Sequence, residues 1–356
     1  MEISELGEFG LIERLAKEIS VKNSTTVKGI GDDCAVLAPT EGMQTVVTTD
    51  LLMEGIHFDL TYVPLRHLGY KAVMVNLSDV FAMNAEPRQV TVSLALSSKF
   101  KVEDVEELYA GMRLACEKWG VDIVGGDTTA SLTGLAISIT ALGEARAEDI
   151  VMRSGAKPTD LICVSGNLGA AYMGLQLLER EKLIYDEQVA EARKSGSKEQ
   201  MELLKEAQPD FSGKEYILER QLKPEARGDV VATLRKAGIR PTSMMDISDG
   251  LSSELMHICK QSQTGCRIYE ERLPLDYQTA AMAEELNLNV STCALNGGED
   301  YELLFTVPLA QNDTVSALED IRVIGYITEP DKGCALITRD GGEHSLKAQG
   351  WNPLKS

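Results

Sequence analysis

The chain has 356 residues, of which 44% are hydrophobic and 25% are charged, and its formal net charge at pH 7 is −20. This length suits two domains, each large enough to bury most of its apolar surface. The charge disfavours non-specific binding to nucleic acid or anionic lipid, no apolar run is long enough for a membrane helix, and the acidic first residues do not resemble a signal peptide. We therefore expect a globular, cytoplasmic protein.

The first part of the chain alternates predicted strands and helices. Apolar residues recur at every second position over 89–97 and again over 135–139, which predicts two half-buried strands. Between them, apolar residues recur at steps of three and four over 104–119, which predicts a helix that ends at Gly120. We predict a mixed α and β N-terminal domain over residues 1–154.

The second part begins with an apolar run at 161–164, a glycine-rich stretch at 165–169 and a predicted helix. The glycine-rich stretch lacks the lysine of a P-loop and the spacing of a dinucleotide fingerprint, so we expect only a turn. The charged stretch 179–208 predicts a solvated helical hairpin around Ser195-Gly196-Ser197. With predicted strands at 303–307, 323–327 and 335–338, residues 155–356 form an α/β domain, so the predicted fold class is a two-domain α+β and α/β protein.

Seven cysteines are spread along the chain without a CxxC pair. An odd, scattered set argues against a disulfide framework and against a zinc knuckle. We expect small, buried, hydrophobic side chains in a reducing compartment. The cysteines are Cys34, Cys116, Cys163, Cys259, Cys266, Cys293 and Cys334.

Six short motifs place acidic residues beside glycine, serine or threonine, and each motif adjoins an apolar segment. Each motif alone favours a turn, but six acidic turns at strand ends would bring carboxylates to one rim, where their repulsion is costly unless cations bind. Oxygen ligands without clustered histidine or cysteine favour Mg²⁺, which binds a few carboxylates together with substrate phosphates. We therefore predict phosphoryl transfer. The motifs are GDD at 31–33, TTD at 48–50, SD at 78–79, GGD at 125–127, DISDG at 246–250 and GED at 298–300.

Nine segments in order, covering nearly the whole chain, resemble the thiamine-monophosphate kinase family. The family belongs to an ATP-using superfamily with phosphoribosylformylglycinamidine cyclo-ligase, selenophosphate synthetase and a hydrogenase-maturation enzyme. The resemblance implies an N-terminal domain that pairs across a homodimer, and ATP-dependent phosphorylation of thiamine monophosphate with several Mg²⁺ ions. The segments are GEFGLIERL (7–15), GIGDDCAVL (29–37), TTDLLMEGIHF (48–58), NLSDVFAMNAEPR (76–88), GGDTT (125–129), RSGAKPTDLICVSGNLG (153–169), KPEAR (223–227), DISDGL (246–251) and GGEDYELLFTV (297–307).

The resemblance also implies roles for individual residues. Magnesium ligands would be Asp33, Thr48, Thr49, Asp50, Asp79, Asp127, Asp246 and Asp249. Gly126, Asp127, Arg153 and Ser248 would contact ATP, and His57, Glu299 and Trp351 would contact thiamine monophosphate.

Some of these roles have an alternative. His57 could instead cap a strand, and Arg153 could form a surface ion pair. Asp32 could cap its own turn while Asp33 binds metal. Trp351 could seal the core, although it is the only aromatic residue near the C-terminus, and the family's Gly-aromatic-x-His-Phe ending is kept only at its start.

The predicted reaction needs neither a general base nor a nucleophile of the protein, because a phosphate monoester is already largely ionised near neutral pH, its second pKa being about 6. Two other functions stay open on the sequence. Selenophosphate synthetase would carry a reactive cysteine in an N-terminal glycine-rich loop, and none precedes Cys34. A sensor of ATP and Mg²⁺ would bind both without turnover.

Overall fold

Two large β-sheets organise the part of the chain that the computed structural model describes, which is residues 1, 3–196, 204 and 209–349. The first sheet has four strands in the order β3-β6-β4-β5, with β4 and β5 parallel and the other pairs antiparallel. Its strands are β3 (Met43–Met53), β4 (Glu86–Leu96), β5 (Asp122–Ala130) and β6 (Ala136–Arg146). The predictions of strands β4 and β6 are confirmed.

A helix and a small sheet precede these strands. Helix α1 spans Ile3–Ala16, and strands β1 (Thr26–Lys28) and β2 (Val36–Leu37) form an antiparallel pair.

Two helices, α2 (Leu65–Ala82) and α3 (Val102–Trp119), pack on each other and on the four-stranded sheet. Helix α3 has its apolar side buried and ends at Gly120 in the left-handed conformation, as predicted. Helix α2 is buried around nearly its whole circumference. Glycines permit the close crossing of the two helices, because a Cβ atom at Gly69 would lie 1.9 Å from the carbonyl oxygen of Leu108.

The second sheet has seven strands in the order β13-β12-β9-β11-β7-β10-β8. Most neighbours are antiparallel, but β12 and β9 run parallel. The predicted strands at 161–164, 303–307 and 323–327 are confirmed as parts of β7, β10 and β11, and the predicted strand at 335–338 overlaps β12. The strands are β7 (Leu161–Ser165), β8 (Ser243–Asp246), β9 (Gly265–Tyr269), β10 (Leu303–Val307), β11 (Ile321–Thr328), β12 (Cys334–Ile337) and β13 (Glu343–Ser345).

Helices of the second half surround this sheet. Helix α4 continues through the first part of the charged stretch and ends at Gly196 in the left-handed conformation, so this limb of the predicted hairpin is confirmed. The other limb lies almost wholly outside the described residues. The helices are α4 (Ala170–Ser195), α5 (Glu215–Leu222), α6 (Gly228–Lys236), α7 (Leu251–Ser262), α8 (Tyr277–Glu285), α9 (Val290–Asn296) and α10 (Asn312–Ser316).

The glycine-rich stretch 165–169 forms a turn between β7 and α4, as predicted. The carboxylate of Asp300 accepts hydrogen bonds from the backbone N–H groups of Gly169 (2.6 Å) and Ala171 (3.3 Å). The free N–H groups at the start of α4 are therefore already used by a carboxylate of the protein itself.

The main apolar core runs from α2 and α3 through α6 to the inner strands of the seven-stranded sheet, where Phe305 is fully buried. The fold is mixed α and β, as predicted, and the division into domains near residue 154 stays a prediction. Among the described residues, no helix has the length and apolar character needed to cross a bilayer.

Candidate active site

A cavity of about 860 Å³ opens beside α2, between the end of β3 and the loop that follows β8. Helices α4 and α9 contribute further walls. Several residues that the sequence assigned to metal or substrate line the same cavity, although they lie far apart along the chain. These residues are Asp50, His57, Asp79, Asp246, Ser248, Asp249 and Glu299.

Helix α2 supplies a stripe of cavity-facing residues. Lys71, Val75 and Asp79 lie at four-residue steps and therefore share one side of the helix, and all three line the cavity. A helix that is buried on nearly all sides is usually apolar throughout. The lysine and the aspartate on α2 are therefore exceptions that must be stabilised by partners or by ligands.

Hydroxyl and amide groups hold the aspartates in place. Thr48 donates its hydroxyl to the carboxylate of Asp79 at 2.5 Å, and Ser78 donates to the carboxylate of Asp246 at 2.7 Å. The backbone N–H of Asp50 donates to the side-chain oxygen of Asn76 at 3.1 Å. These bonds join β3 and the end of β8 to the two sides of α2.

The acidic end of the cavity carries negative charge that the surrounding protein does not balance. Burial and the neighbouring Asp79 raise the pKa of Asp50 to about 6. Burial and Asp79 also raise the pKa of Asp246 to about 7. Burial likewise raises the pKa of Asp79, against the hydrogen bond from Thr48 and the nearby charge of Arg153. A bound cation would remove this cost.

A further carboxylate, Glu254, stands behind the acidic end and was not singled out from the sequence. It accepts a hydrogen bond from the backbone N–H of Asp249 at 2.9 Å, and burial raises its pKa to about 8. Only its place in the first turn of α7, just after the DISDG motif, could have pointed to it. Glu254 therefore fixes the loop that carries Asp249.

The donor set fits a magnesium ion. The cavity-facing ligands at this end are oxygens. Among the described residues, groups of three or more cysteine, histidine or carboxylate ligand atoms within 4.8 Å of one another occur at three cysteines and not at these aspartates. An ion at the acidic end would thus take a few carboxylates and complete its shell with water and phosphate oxygens, as Mg²⁺ usually does.

Three of the six acidic motifs are not turns at strand ends, so that prediction is wrong for them. Residues 48–50 lie within β3, residues 78–79 within α2, and residues 125–127 within β5. Aspartate and glycine favour turns locally, but here pairing with neighbouring strands and packing of α2 determine the conformation.

Six of the predicted site residues that the structure describes do not line the cavity. Two of them, Thr48 and Arg153, lie close to Asp79. Asp33 is exposed on the loop between β1 and β2. Thr49 and Asp127 are exposed on the sheet face opposite α2, because side chains alternate along a strand. Gly126 lies beside Asp127, where a Cβ atom would come within 1.7 Å of the Val92 carbonyl oxygen.

The carboxylate of Asp32 is engaged locally. It accepts from the backbone N–H of Asp33 and from Lys28, both at 3.1 Å, and the hydrogen bond from Lys28 lowers its pKa. These contacts agree with the alternative in which Asp32 caps its own turn.

The opposite end of the cavity is polar and includes a buried lysine. Lys71, only 4% exposed, donates to the carboxylate of Glu299 at 3.0 Å, and Gln221 donates to the same oxygen at 3.0 Å. Glu299 has a positive φ of 65° and is held by its backbone N–H, which donates to Ser248 at 2.7 Å. Sequence analysis missed Lys71 and Gln221, which lie in ordinary helical patterns.

His57 binds the end of β3 and also faces the cavity. Its Nδ1 accepts from the backbone N–H of Met53, the last residue of β3, at 3.0 Å, and its ring also lines the cavity. Burial lowers the pKa of His57. The ring is therefore favoured in its neutral form, with Nε2 carrying the proton.

Aromatic rings line the cavity from elements far from the C-terminus. Tyr62 follows β3, and Tyr172 belongs to the first turn of α4. Trp351 lies outside the described residues. Tyr62 and Tyr172 are thus available to a flat ligand, and the contact predicted for Trp351 stays a prediction.

The comparisons with known proteins agree with this arrangement. Residues 31–145 match the family model described as AIR synthase related protein, N-terminal domain. The chain is 37% identical to the thiamine-monophosphate kinase of Aquifex aeolicus over 92% of this chain and 94% of the relative. It is 31% identical to that of Bacillus subtilis over 98% of this chain and the whole of the relative. The chain belongs to the thiamine-monophosphate kinase family.

Solved structures of the family have the same fold. A structure described as AaThiL complexed with AMPPCP and TMP is 32% identical, covers 99% of this chain and 98% of its own, and superposes with a TM-score of 0.71. The family predicted from the nine segments is thus confirmed, and with it the class of enzyme, a kinase.

Proposed function

We propose that this protein transfers the γ-phosphoryl group of ATP to thiamine monophosphate, making thiamine diphosphate in the cytoplasm. One observation carries the proposal: a single cavity joins an acidic end, suited to a metal–phosphate complex, to a polar and aromatic end of different chemistry. The names of the relatives and the ligands of the AaThiL complex support the same two substrates.

Magnesium would be held at the acidic end by Asp50, Asp79, Asp246 and Asp249, with Thr48 positioning Asp79. When bound, Mg²⁺ neutralises phosphate oxygens and aligns the two substrates for in-line attack. The raised pKa values of Asp50 and Asp246, about 6 and about 7, support a site that is unfavourable without cations. Ser248 and Arg153 border this end and would contact the phosphates of ATP.

The protein has no proton to remove from the acceptor, because the attacking phosphate oxygen of thiamine monophosphate is largely ionised near neutral pH, the second pKa being about 6. We propose direct in-line transfer without a phosphoenzyme. The residues then act by position and charge: the aspartates hold cations, and Arg153 offsets negative charge at the same end.

The polar end would hold the thiamine part. Thiamine carries a permanent positive charge on its thiazolium ring, which Glu299 would attract and which the faces of Tyr62 or Tyr172 would stabilise by about 0.5–2 kcal/mol. Lys71 and Gln221 orient the Glu299 carboxylate. His57, which lines the cavity, would contact the substrate. Trp351 stays a predicted contact.

Thr49, Gly126 and Asp127 fit a dimer better than a single chain. Thr49 and Asp127 share the sheet face that α2 does not cover, together with the exposed Val47 and Leu51 of the edge strand β3. Gly126 adjoins Asp127 in β5. We propose that this face pairs with a second copy. Asp127 and Thr49, together with Asp33 of the exposed loop between β1 and β2, would then complete the metal and ATP sites from across the interface.

A coupled assay for ADP release, run with and without thiamine monophosphate, tests the function. Release that depends on thiamine monophosphate supports the kinase, and a superfamily relative with another substrate would give none. A sensor would bind ATP without turnover.

Titrating Mg²⁺ at fixed ATP should show that activity requires more than one equivalent of Mg²⁺ per nucleotide. Saturation at one equivalent would contradict a site with several ions.

A further inference from the structure

Three cysteines that lie far apart in the sequence meet on one side of the seven-stranded sheet. The sulfur atoms of Cys259, Cys266 and Cys334 all lie within 4.8 Å of one another. Cys259 and Cys266 are buried, and Cys334 is half-buried. The prediction of small, buried cysteine side chains is confirmed for Cys259 and Cys266 and is wrong for the exposed Cys34.

The fold brings these sulfurs together from three elements. Cys266 belongs to β9 and Cys334 begins β12, and the parallel register pairs the two residues directly. Direct partners on adjacent strands point to the same face of the sheet, about 4.8 Å apart. Cys259 comes from the third turn of α7, which packs on that face. The result is a triangle of thiols.

The spacing suits one metal ion. Thiolate sulfur binds Zn²⁺ at about 2.3 Å, so three sulfurs around one ion stand roughly 4 Å apart. The thiols need to approach by less than about 1 Å, which side-chain rotation supplies. A disulfide would join only two of the three sulfurs and would leave the third thiol against it.

The surroundings supply positive charge and a further oxygen. The guanidinium of Arg267 donates to the carbonyl oxygens of Cys266 (2.8 Å) and Gly333 (3.0 Å), so its charge lies at the backbone that adjoins Cys334. Glu343 pairs with the same guanidinium at 2.6 Å. The buried hydroxyl of Thr264 lies beside the sulfur of Cys259.

We propose that Cys259, Cys266 and Cys334 bind one thiophilic metal ion as three thiolates. The ion is of the Zn²⁺ or Cu⁺ type. If it is Zn²⁺, the oxygen of Thr264 or of a water molecule is the fourth ligand. Each thiol that binds loses its proton to solvent, and the oxidation state of the ion does not change. The bound ion joins α7 to β9 and β12, and this role does not rest on the proposed kinase activity.

The test uses the full chain, purified under reducing conditions and stripped with a chelator. Cd²⁺, Zn²⁺ and Cu⁺ are titrated separately, with sulfur-to-metal charge-transfer absorption, elemental analysis and melting temperature as readouts. We expect one ion per chain and a higher melting temperature with metal. Cys266→Ala should weaken metal binding by more than about 100-fold. Changing a residue that only supports a metal ligand already lowers affinity by about 10–100-fold, and Cys266 is itself a ligand. The Zn²⁺ and Cu⁺ titrations distinguish the two ions.

Cys163→Ala is the matched control and should bind as the unchanged protein does, because it removes a buried cysteine of β7, which β11 separates from β9. If Cys266→Ala does not fold, Cys334→Ser at the half-buried start of β12 replaces it as the test variant and should also weaken metal binding. The proposal is overturned if no ion binds in stoichiometric amount, if folded Cys266→Ala or Cys334→Ser binds the ion normally, or if thiol counting shows a disulfide within the triangle.

Discussion

Asp246 is the most deeply buried carboxylate of the acidic end, at 4% exposure, and its pKa is raised to about 7, first by burial and then by Asp79. Because this pKa lies above the ordinary value near 4, the folded protein binds the proton of Asp246 more tightly than the unfolded chain does, and proton binding stabilises the fold at low pH. That contribution is lost as the pH rises through about 7. At pH 8 the ionised carboxylate therefore destabilises the metal-free fold.

We predict that Asp246→Asn raises the melting temperature of the metal-free protein by about 2–4 °C or more at pH 8, and by less at pH 5. The asparagine oxygen still accepts from Ser78, so packing is kept. Mg²⁺ should stabilise the unchanged protein more than the variant. Equal melting temperatures at pH 8 would mean that Asp246 carries no unbalanced charge.

Asp50 points from β3 into the cavity, where we place a metal ligand. Asp50→Asn should lower kcat by about 10²-fold or more, because the charge acts mainly on the transition state, and should leave the circular dichroism spectrum unchanged. Asp149→Asn, which changes an aspartate paired with Arg146 at the surface, is the control and should keep full activity. Normal turnover in folded Asp50→Asn would remove this residue from the site.

Lys71 and Glu299 form a pair in which the lysine is buried and the glutamate is partly exposed, at 5% and 26% of the side chain. Removing the lysine alone leaves a partly desolvated carboxylate, so Lys71→Met should cost about 1–3 kcal/mol in denaturant unfolding. Adding Glu299→Gln should recover part of that loss. Strictly additive losses in this double-mutant cycle would show that the two side chains do not interact.

At the scale of whole elements, β4, β6 and α3 could be predicted because each buries one side and exposes the other, which leaves a period of two or of 3.6 residues in the sequence. Strands β3 and β5 carry polar motifs at their centres and are held by pairing with β6 and β4. That pairing is non-local, so no local pattern reports it.

The site residues likewise divide into those that a local sequence pattern predicts and those that depend on non-local packing. The aspartates could be predicted because each lies in a short motif, whereas Lys71 stands in an apolar helix whose burial on every side depends on tertiary packing. The cysteine triangle could not be predicted, because it depends on the register between β9 and β12.

Helix α2 carries residues to both ends of the cavity, so its crossing with α3 positions the site. A Cβ atom at Gly69 would lie 1.9 Å from the Leu108 carbonyl oxygen, which the neighbouring backbone cannot relieve without separating the helices. We predict that Gly69→Ala lowers the free energy of unfolding by about 1–3 kcal/mol. Chemical denaturation checks this, and an unchanged midpoint would mean that the two helices move apart freely.

For the molecule as a whole, the uncovered face of the four-stranded sheet determines the proposed assembly. Val47 is 63% exposed on the edge strand β3, and it shares this face with Thr49 and Asp127. Exposed apolar side chains in a row on a sheet are typical of an interface, and one face of an antiparallel sheet can stay in water only if it is largely polar. Pairing of two copies here would bury Val47 and bring Asp127 of each copy to the interface.

We predict that Val47→Asp converts a dimer to a monomer in sedimentation-velocity measurements at the same concentration, because two added carboxylates would face a buried, self-complementary surface. If Thr49 and Asp127 act across the interface, the monomer should also lose most kinase activity while keeping its fold. Leu183→Asp, at a position 64% exposed on α4, is the control and should stay dimeric and active. A Val47→Asp protein that is still dimeric would place the interface elsewhere. A monomer with full activity would show that Thr49 and Asp127 do not complete the site of a second copy, and that the cavity beside α2 works within one chain.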